Sequence, residues 1–459
     1  MTLLIAFLGI AVFSVSGLYG AAEGEAKATG AVSYSQDIQP VLQRSCQGCH
    51  QPTSRQGGLD VTNFENLRTG GQHGSSFVEG APERSLLLAH LTGDREPRMP
   101  LGQPPLEASD IELFRKWIAS GARDDSSEMA TRLAGGKPPV YRQPPVITAL
   151  AYSPDGSTLA VSGYREVLLH RDSDSEPDAR LVGTADRIQS LGFTADGKTL
   201  MAAGGRPASF GEVQFWDVDS GRLLRAVRSC HDTLFGASLS PDGTRVAFGC
   251  ADHTVRIVEV ATGEELLKMS HHENWVLGTV FGVDGRRIIS VGRDRAAKLV
   301  DATSGAFIEN VNLLKGELTA IARHPSRETV AIGGEDRTPF LYRVDKAAKM
   351  LIADSTNLLH ELEKHDGEIF DLAFSPDGRT LAVSGASSRV SLYDVESGAA
   401  TGACDAGHQG VYAVAFHPAG ARLAMGGFDG NVRICELDSG RIVSEFIPVP
   451  IQGTLVSSR

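Results

Sequence analysis

Residues 147–162 read Ile-Thr-Ala-Leu-Ala-Tyr-Ser-Pro-Asp-Gly-Ser-Thr-Leu-Ala-Val-Ser. An alternating segment runs into Ser153-Pro154-Asp155-Gly156, and a small-residue segment, 159–162, leaves it. Pro presets φ at the first central position, Asp favours the turn, and Gly takes the left-handed conformation beyond it. The stretch therefore predicts two antiparallel strands around a tight turn. The turn recurs as Ser240-Pro241-Asp242-Gly243 and Ser375-Pro376-Asp377-Gly378. Weaker copies are Thr194-Ala195-Asp196-Gly197, Gly282-Val283-Asp284-Gly285, His324-Pro325-Ser326-Arg327 and His417-Pro418-Ala419-Gly420. The seven copies lie 41 to 51 residues apart. A third strand follows each hairpin, as in 213–218, 255–260, 390–395 and 432–437, and a Ser-Gly or Thr-Gly turn leads to a fourth.

Four strands per repeat of about 42 residues resembles the WD40 family, over roughly residues 145–452. The resemblance implies an all-β propeller of seven blades, because such a unit cannot bury both faces until repeats stack radially. Only Trp216-Asp217 carries the name-giving dipeptide intact; elsewhere the position reads Val258-Glu259, Tyr393-Asp394 or Cys435-Glu436. The fifth repeat holds an insertion near 345–362, and the second has extra residues at 206–211. These loops are the expected contact points for a protein partner, since propeller function lives on loops.

Upstream, 123–145 reads as a linker rich in Ser, Gly and Pro, including Gly135-Gly136-Lys137-Pro138-Pro139. Before it, 33–122 reads as a compact helical unit containing Cys46-Gln47-Gly48-Cys49-His50. Two thiols at this spacing reach the two vinyl groups of a haem, and the adjacent imidazole is held against the iron. From this composition the pattern arises by chance with a probability of roughly 0.002. The competing reading is a redox or zinc pair beside an accidental His. No second Cys pair completes a zinc site, and no thioredoxin-like βαβ pattern surrounds the motif. A helix at 35–44, with Ile38, Val41 and Leu42 on one face, delivers the motif. A second helix at 106–119 carries Leu113, Phe114, Trp117 and Ile118, with Ser109 and Glu112 as a capping box. Met99, in Arg98-Met99-Pro100, is the expected sixth ligand of the iron, with His73 and His90 as competitors. His/Met ligation occupies both axial positions and suits electron transfer.

Gln39-Pro40-Val41-Leu42, the Cys-x-x-Cys-His motif, Gly57-Gly58-Leu59-Asp60, Gly80 to Leu87, Arg98-Met99-Pro100 and Trp117-Ile118 together resemble the planctomycete-type cytochrome c domain. The match covers nearly all of 33–122. It implies a small all-α domain binding one covalent haem c through Cys46, Cys49 and His50, an extracytoplasmic location, and frequent fusion to WD40 repeats. Gly58 and Asp60 read as structural.

The remaining sequence narrows the setting. A net charge of −12 with no long basic run excludes nucleic acid as the main partner. Residues 3–15 form an apolar run of signal-peptide length, and the small residues Gly20, Ala21 and Ala22 follow it. Export to the periplasm, with 1–22 removed, is expected; retention of the segment as an anchor is the alternative. No other stretch is apolar enough to span a membrane. Beyond the haem motif, Cys230, Cys250, Cys404 and Cys435 read as small buried strand residues, a Cys230–Cys250 disulfide being disfavoured. His231, His272, His365 and His408, with Asp252, Asp294, Asp336, Asp429, Ser290 and Ser384, recur at blade period. That recurrence predicts hydrogen-bonded strand locks rather than a catalytic site. No catalytic residues are expected. Three functions compete: an electron carrier docked by its propeller to a redox or scaffold partner, a haem sensor or peroxidase with an open iron face, and an interaction protein with an accessory haem.

Overall fold

The computed structural model describes residues 32–51, 54–171, 176–312, 316–345, 355–407 and 410–452. The expected export signal lies outside them. Seven four-stranded antiparallel sheets, each with its strands in sequence order, form the propeller. Blades 1 to 7 occupy residues 150–182, 187–230, 235–269, 276–310, 318–361, 369–405 and 411–446. The recurring turn works as its chemistry predicts. Ser153 Oγ donates to Asp155 Oδ1 at 2.6 Å, and Ser240 and Ser375 repeat this with Asp242 at 2.5 Å and Asp377 at 2.6 Å. Gly156, at φ +76°, takes the left-handed position that a side chain would resist.

Each blade buries its second and third strands and packs on the next through cores such as Ile289, Val291, Leu299, Val330, Ile332 and Tyr342. A ring of side chains also links the inner strands of neighbouring blades. Thr148 donates to the Ile188 carbonyl, and Ser190 Oγ accepts from Ala237 N at 2.9 Å. Thr279 donates to the Gly236 carbonyl at 2.9 Å, and Thr319 to that of Ile369. Between blades 6 and 7 the position is filled by Asp371, whose Oδ2 accepts from Val414 N at 2.9 Å. These side chains line a central cavity of about 440 Å³. The ring closes where the ends of the propeller meet: Tyr141 pairs with Ile451 in a parallel bridge, and Gln452 N donates to the Tyr141 carbonyl at 2.9 Å.

The amino-terminal region contains short helices around one core. A π-helical turn, Tyr34–Ile38, runs into α1, Gln39–Ser45. α2 (Phe64–Thr69), α3 (Leu86–Thr92) and α4 (Ala108–Ala119) follow. Phe114, Trp117 and Ile118 of α4 pack with Tyr34, Ile38, Leu42, Leu67 and Leu91. α4 begins at Ala108 after Glu107, so Ser109 lies within the helix and is not its cap. Glu112 instead pairs along the surface with Arg115 and Lys116.

Three expectations are corrected here. First, the stretch expected to be a bare linker holds α5, Ser126–Leu133. Its Ser127 and Thr131 hydroxyls accept from the backbone of Arg228 and Ala226 on the outer strand of blade 2, at 3.2 and 3.3 Å. Asp125 Oδ1 accepts from Ser35 N at 2.9 Å, so the segment is bonded to both regions. Second, one extra residue of blade 2 is engaged within the chain, Gln43 Nε2 of α1 donating to Ser209 Oγ at 3.4 Å, while Arg206, Pro207 and Ala208 are exposed. Much of the fifth-repeat insertion lies outside the described residues. Third, Cys404 and Cys435 are joined by a disulfide, with S–S 1.98 Å and Cα atoms 6.2 Å apart. One lies on the outer strand of blade 6 and the other on the third strand of blade 7, an adjacency no spacing within a repeat reveals. Cys230 and Cys250 are free and buried, as expected.

The periodic polar set is complete in blade 4. His272 Nδ1 donates to Asp294 at 2.9 Å, and Ser290 Oγ bonds Nε2 at 2.8 Å. Elsewhere it is broken up. His231 Nδ1 is buried without a partner among the described residues, and Asp252 is held by Arg256 at 2.6 Å. His365 Nε2 meets Tyr393 Oη at 3.1 Å, while Asp429 binds Arg433 at 2.8 Å. His408 lies outside the described residues.

Candidate haem-binding site

α1 ends at Ser45, and the amides of Cys46 and Gln47 both donate to the Leu42 carbonyl at 2.9 Å. The motif thus leaves the helix as a tight loop, with Cys46 half-buried and Cys49 exposed. Burial pushes the Cys46 thiol up to about 11, against the opposing pull of Arg44. His50 follows, and its Nδ1 donates to the Gln56 carbonyl at 3.0 Å. Its own carbonyl accepts from Val61 N at 3.0 Å. The first bond fixes the tautomer and leaves the Nε2 lone pair available to a metal.

Behind the motif lies a cavity of about 290 Å³. Cys46 and His50 line it together with Met99, His73 and His90. Leu59, Val61, Leu86, Leu87 and Leu91 supply apolar wall. Gly57 and Gly74 also line it, at φ +65° and +100°, and a Cβ on either would project into open space. A flat macrocycle can therefore approach the backbone there. The donor set, the apolar walls and these bare backbone positions fit haem. No group of three His, Cys, Asp or Glu among the described residues could hold a bare metal ion.

The four residues expected at the site separate in their placement. Cys46, His50 and Met99 share the cavity, whereas Cys49 is exposed and is not among the residues that line it. Met99 is packed partly against the helical core, and its amide donates to the His90 carbonyl at 2.9 Å. His73 is exposed on a loop closed by the bridge between Gly71 and Gly74, and it also lines the cavity. Asp60 is structural: it is buried and accepts from Thr62 N at 2.9 Å, Thr62 Oγ1 at 2.6 Å and Asn66 Nδ2 at 2.9 Å. The carbonyl partners of the histidines, from Gln56 and Pro97, carry no signature in residue type.

These features define a WD40-repeat β-propeller preceded by a small, cytochrome c-like helical region. Residues 46–101 match the family model of planctomycete cytochrome C. Residues 222–259 and 403–436 match the WD domain, G-beta repeat, and 322–414 match the anaphase-promoting complex subunit 4 WD40 domain. Among curated proteins, an uncharacterised WD repeat-containing protein of Schizosaccharomyces pombe is 21% identical over 252 residues, covering 47% of this chain and 40% of that one. Telomerase protein component 1 of Rattus norvegicus is 22% identical over 306 residues, covering 56% of this chain and 11% of that one. The chain thus spans less than half the length of either relative.

Proposed function

We propose that this protein is an exported c-type cytochrome that carries one covalent haem c and passes single electrons, with its propeller docking it to a protein partner. One observation carries the reading: His50, oriented by the Gln56 carbonyl, and Met99 line the same apolar cavity directly behind Cys46. In this reading Cys46 and Cys49 would form the thioether links to haem c, and His50 Nε2 and Met99 Sδ would hold its iron. Bound there, haem c supplies a one-electron couple, raised in potential by thioether ligation. The chain's own residues do the rest. The Gln56 carbonyl fixes the imidazole plane, and Leu59, Val61, Leu86, Leu87 and Leu91 keep water from the ring. With both axial sites filled by protein, no open position remains for a substrate.

The Cys404–Cys435 disulfide supports a location outside the cytoplasm, where thiols are oxidised. It adds to the apolar run at 3–15 as a reason to place the protein in the periplasm. No helix among the described residues is long and apolar enough to cross a membrane. The propeller suits a protein partner, whether a redox protein or a scaffold.

The test is an absorption spectrum of haem-matured protein, oxidised and reduced, with and without carbon monoxide. Low-spin spectra in both states, indifferent to carbon monoxide, are expected. Carbon monoxide binding or peroxide turnover by the wild type would replace this reading with a sensor or peroxidase.

A further inference from the structure

His90 lines the same cavity as His50 and Met99. Its Nδ1 donates to the Pro97 carbonyl at 2.9 Å, as that of His50 donates to the Gln56 carbonyl at 3.0 Å. In both rings this bond places the proton on Nδ1 and the lone pair on Nε2. His73 also lines the cavity, but no such carbonyl bond orients it among the described residues. His90 and Met99 belong to one hydrogen-bonded loop. α3 carries His90, its carbonyl accepts from Met99 N, and the ring of His90 holds the Pro97 carbonyl between them. The loop therefore presents a thioether and an imidazole together, on an element separate from the one that holds His50.

We propose that His90 is a second axial donor of the haem site, poised to take the iron position opposite His50 when Met99 leaves it. This rests on the reading of a covalent haem held through His50. The exchange breaks one coordinate bond, from Met99 Sδ, and forms another, from His90 Nε2. No electron moves, and no proton needs to leave, because the tautomer set by Pro97 already carries the lone pair at Nε2. Imidazole in place of thioether lowers the reduction potential. The site would thus have two potentials, selected by which arm of one loop is engaged.

The experiment compares wild type, Met99→Leu, and Met99→Leu with His90→Asn. Leu keeps the packing of Met without its sulfur. Asn keeps a donor for the Pro97 carbonyl but has no Nε2 lone pair, so a loss of loop pinning is not mistaken for a loss of ligation. Covalent haem is measured by mass, spin state by electron paramagnetic resonance, and potential by titration. Met99→Leu is expected to stay low-spin with a bis-imidazole signature and a lowered potential. The double variant is expected to become high-spin and bind carbon monoxide. If Met99→Leu is itself high-spin and matches the double variant, His90 is no ligand and the proposal is overturned. A wild type without covalent haem by mass is a separate result: it removes the cytochrome reading, and this proposal with it.

Discussion

Cys404 on the outer strand of blade 6 is bonded to Cys435 on the third strand of blade 7. It ties together the last two blades, on the far side of blade 7 from the closure through Tyr141 and Ile451. The two residues are 31 apart in sequence, so the bond restricts a loop of moderate length in the unfolded chain. A link of that kind contributes about 3 kcal/mol. Replacing both cysteines by Ala is expected to lower propeller stability by that order. Chemical unfolding followed by tryptophan fluorescence measures it. Reductant should destabilise the wild type and leave the double variant unchanged.

The His272–Asp294–Ser290 set predicts a second loss. Burial pushes the Asp294 carboxyl up, but the His272 hydrogen bond and charge outweigh it and hold it below the usual carboxylate range. Asp294→Ala leaves the buried His272 Nδ1 without its acceptor, at a cost of about 1–3 kcal/mol. Asp252→Ala removes a carboxylate bound to Arg256 rather than to a histidine. Only the first variant should move the His272 imidazole resonances in NMR spectra at fixed pH, because only it removes the Nδ1 acceptor.

What could be read in advance divides along a physical line. The turn at Ser153 to Gly156 is a local device whose residues satisfy one another, so its repetition predicted the blade count. Cys46 to His50 is likewise local, a motif contained in five consecutive residues. Features that join one blade to another were hidden. Thr148, Ser190, Thr279, Thr319 and Asp371 act across blades, and each looks like an ordinary strand residue in its own repeat. The disulfide belongs to the same class. α5 was obscured by flanking Gly and Pro, although Ser127 and Thr131, spaced one helical turn apart, both face blade 2. At the candidate haem site, Cys46, His50 and Met99, which line one cavity, were legible. The carbonyls that orient His50 and His90 were not, since every residue has one.

Asp371 predicts a pH dependence with a definite sign. Burial pushes its carboxyl up to about 7, and the amides of Val414 and Leu372 oppose the shift only in part. Between the unfolded value of about 4 and this raised value, the folded state binds more protons than the unfolded one. Its contribution to stability is therefore greatest at low pH and is lost as pH rises through about 7. His324 and His365 act oppositely: burial lowers both, so their folded forms resist protonation and favour higher pH. Asp371→Asn removes the titration and keeps an oxygen acceptor for one of the two amides, which in the wild type bond different oxygens, Leu372 N to Oδ1 and Val414 N to Oδ2. The difference in urea midpoint between wild type and Asp371→Asn isolates the carboxyl from the histidines. It should change by more than experimental error between about pH 5 and about pH 8, with the wild type losing ground as pH rises.

Removing haem attachment separates the two regions. The core of the helical region, from Tyr34 and Ile38 through Phe77 to Trp117 and Ala122, contains no propeller residue. Among the described residues, hydrogen bonds between the regions run through Gln43, Asp125 and α5. Cys46→Ala with Cys49→Ala should abolish covalent haem by mass while leaving the propeller's unfolding midpoint within about 0.5 kcal/mol of wild type, as for a surface substitution. With haem in the apolar cavity as proposed, its loss should loosen the helical region, and amide exchange at Leu86 to Leu91 should rise. If the propeller midpoint fell with it, the polar contacts of α5 would have to transmit the loss to blade 2. Ser127→Ala with Thr131→Ala would then decide the matter, by uncoupling the two unfolding transitions.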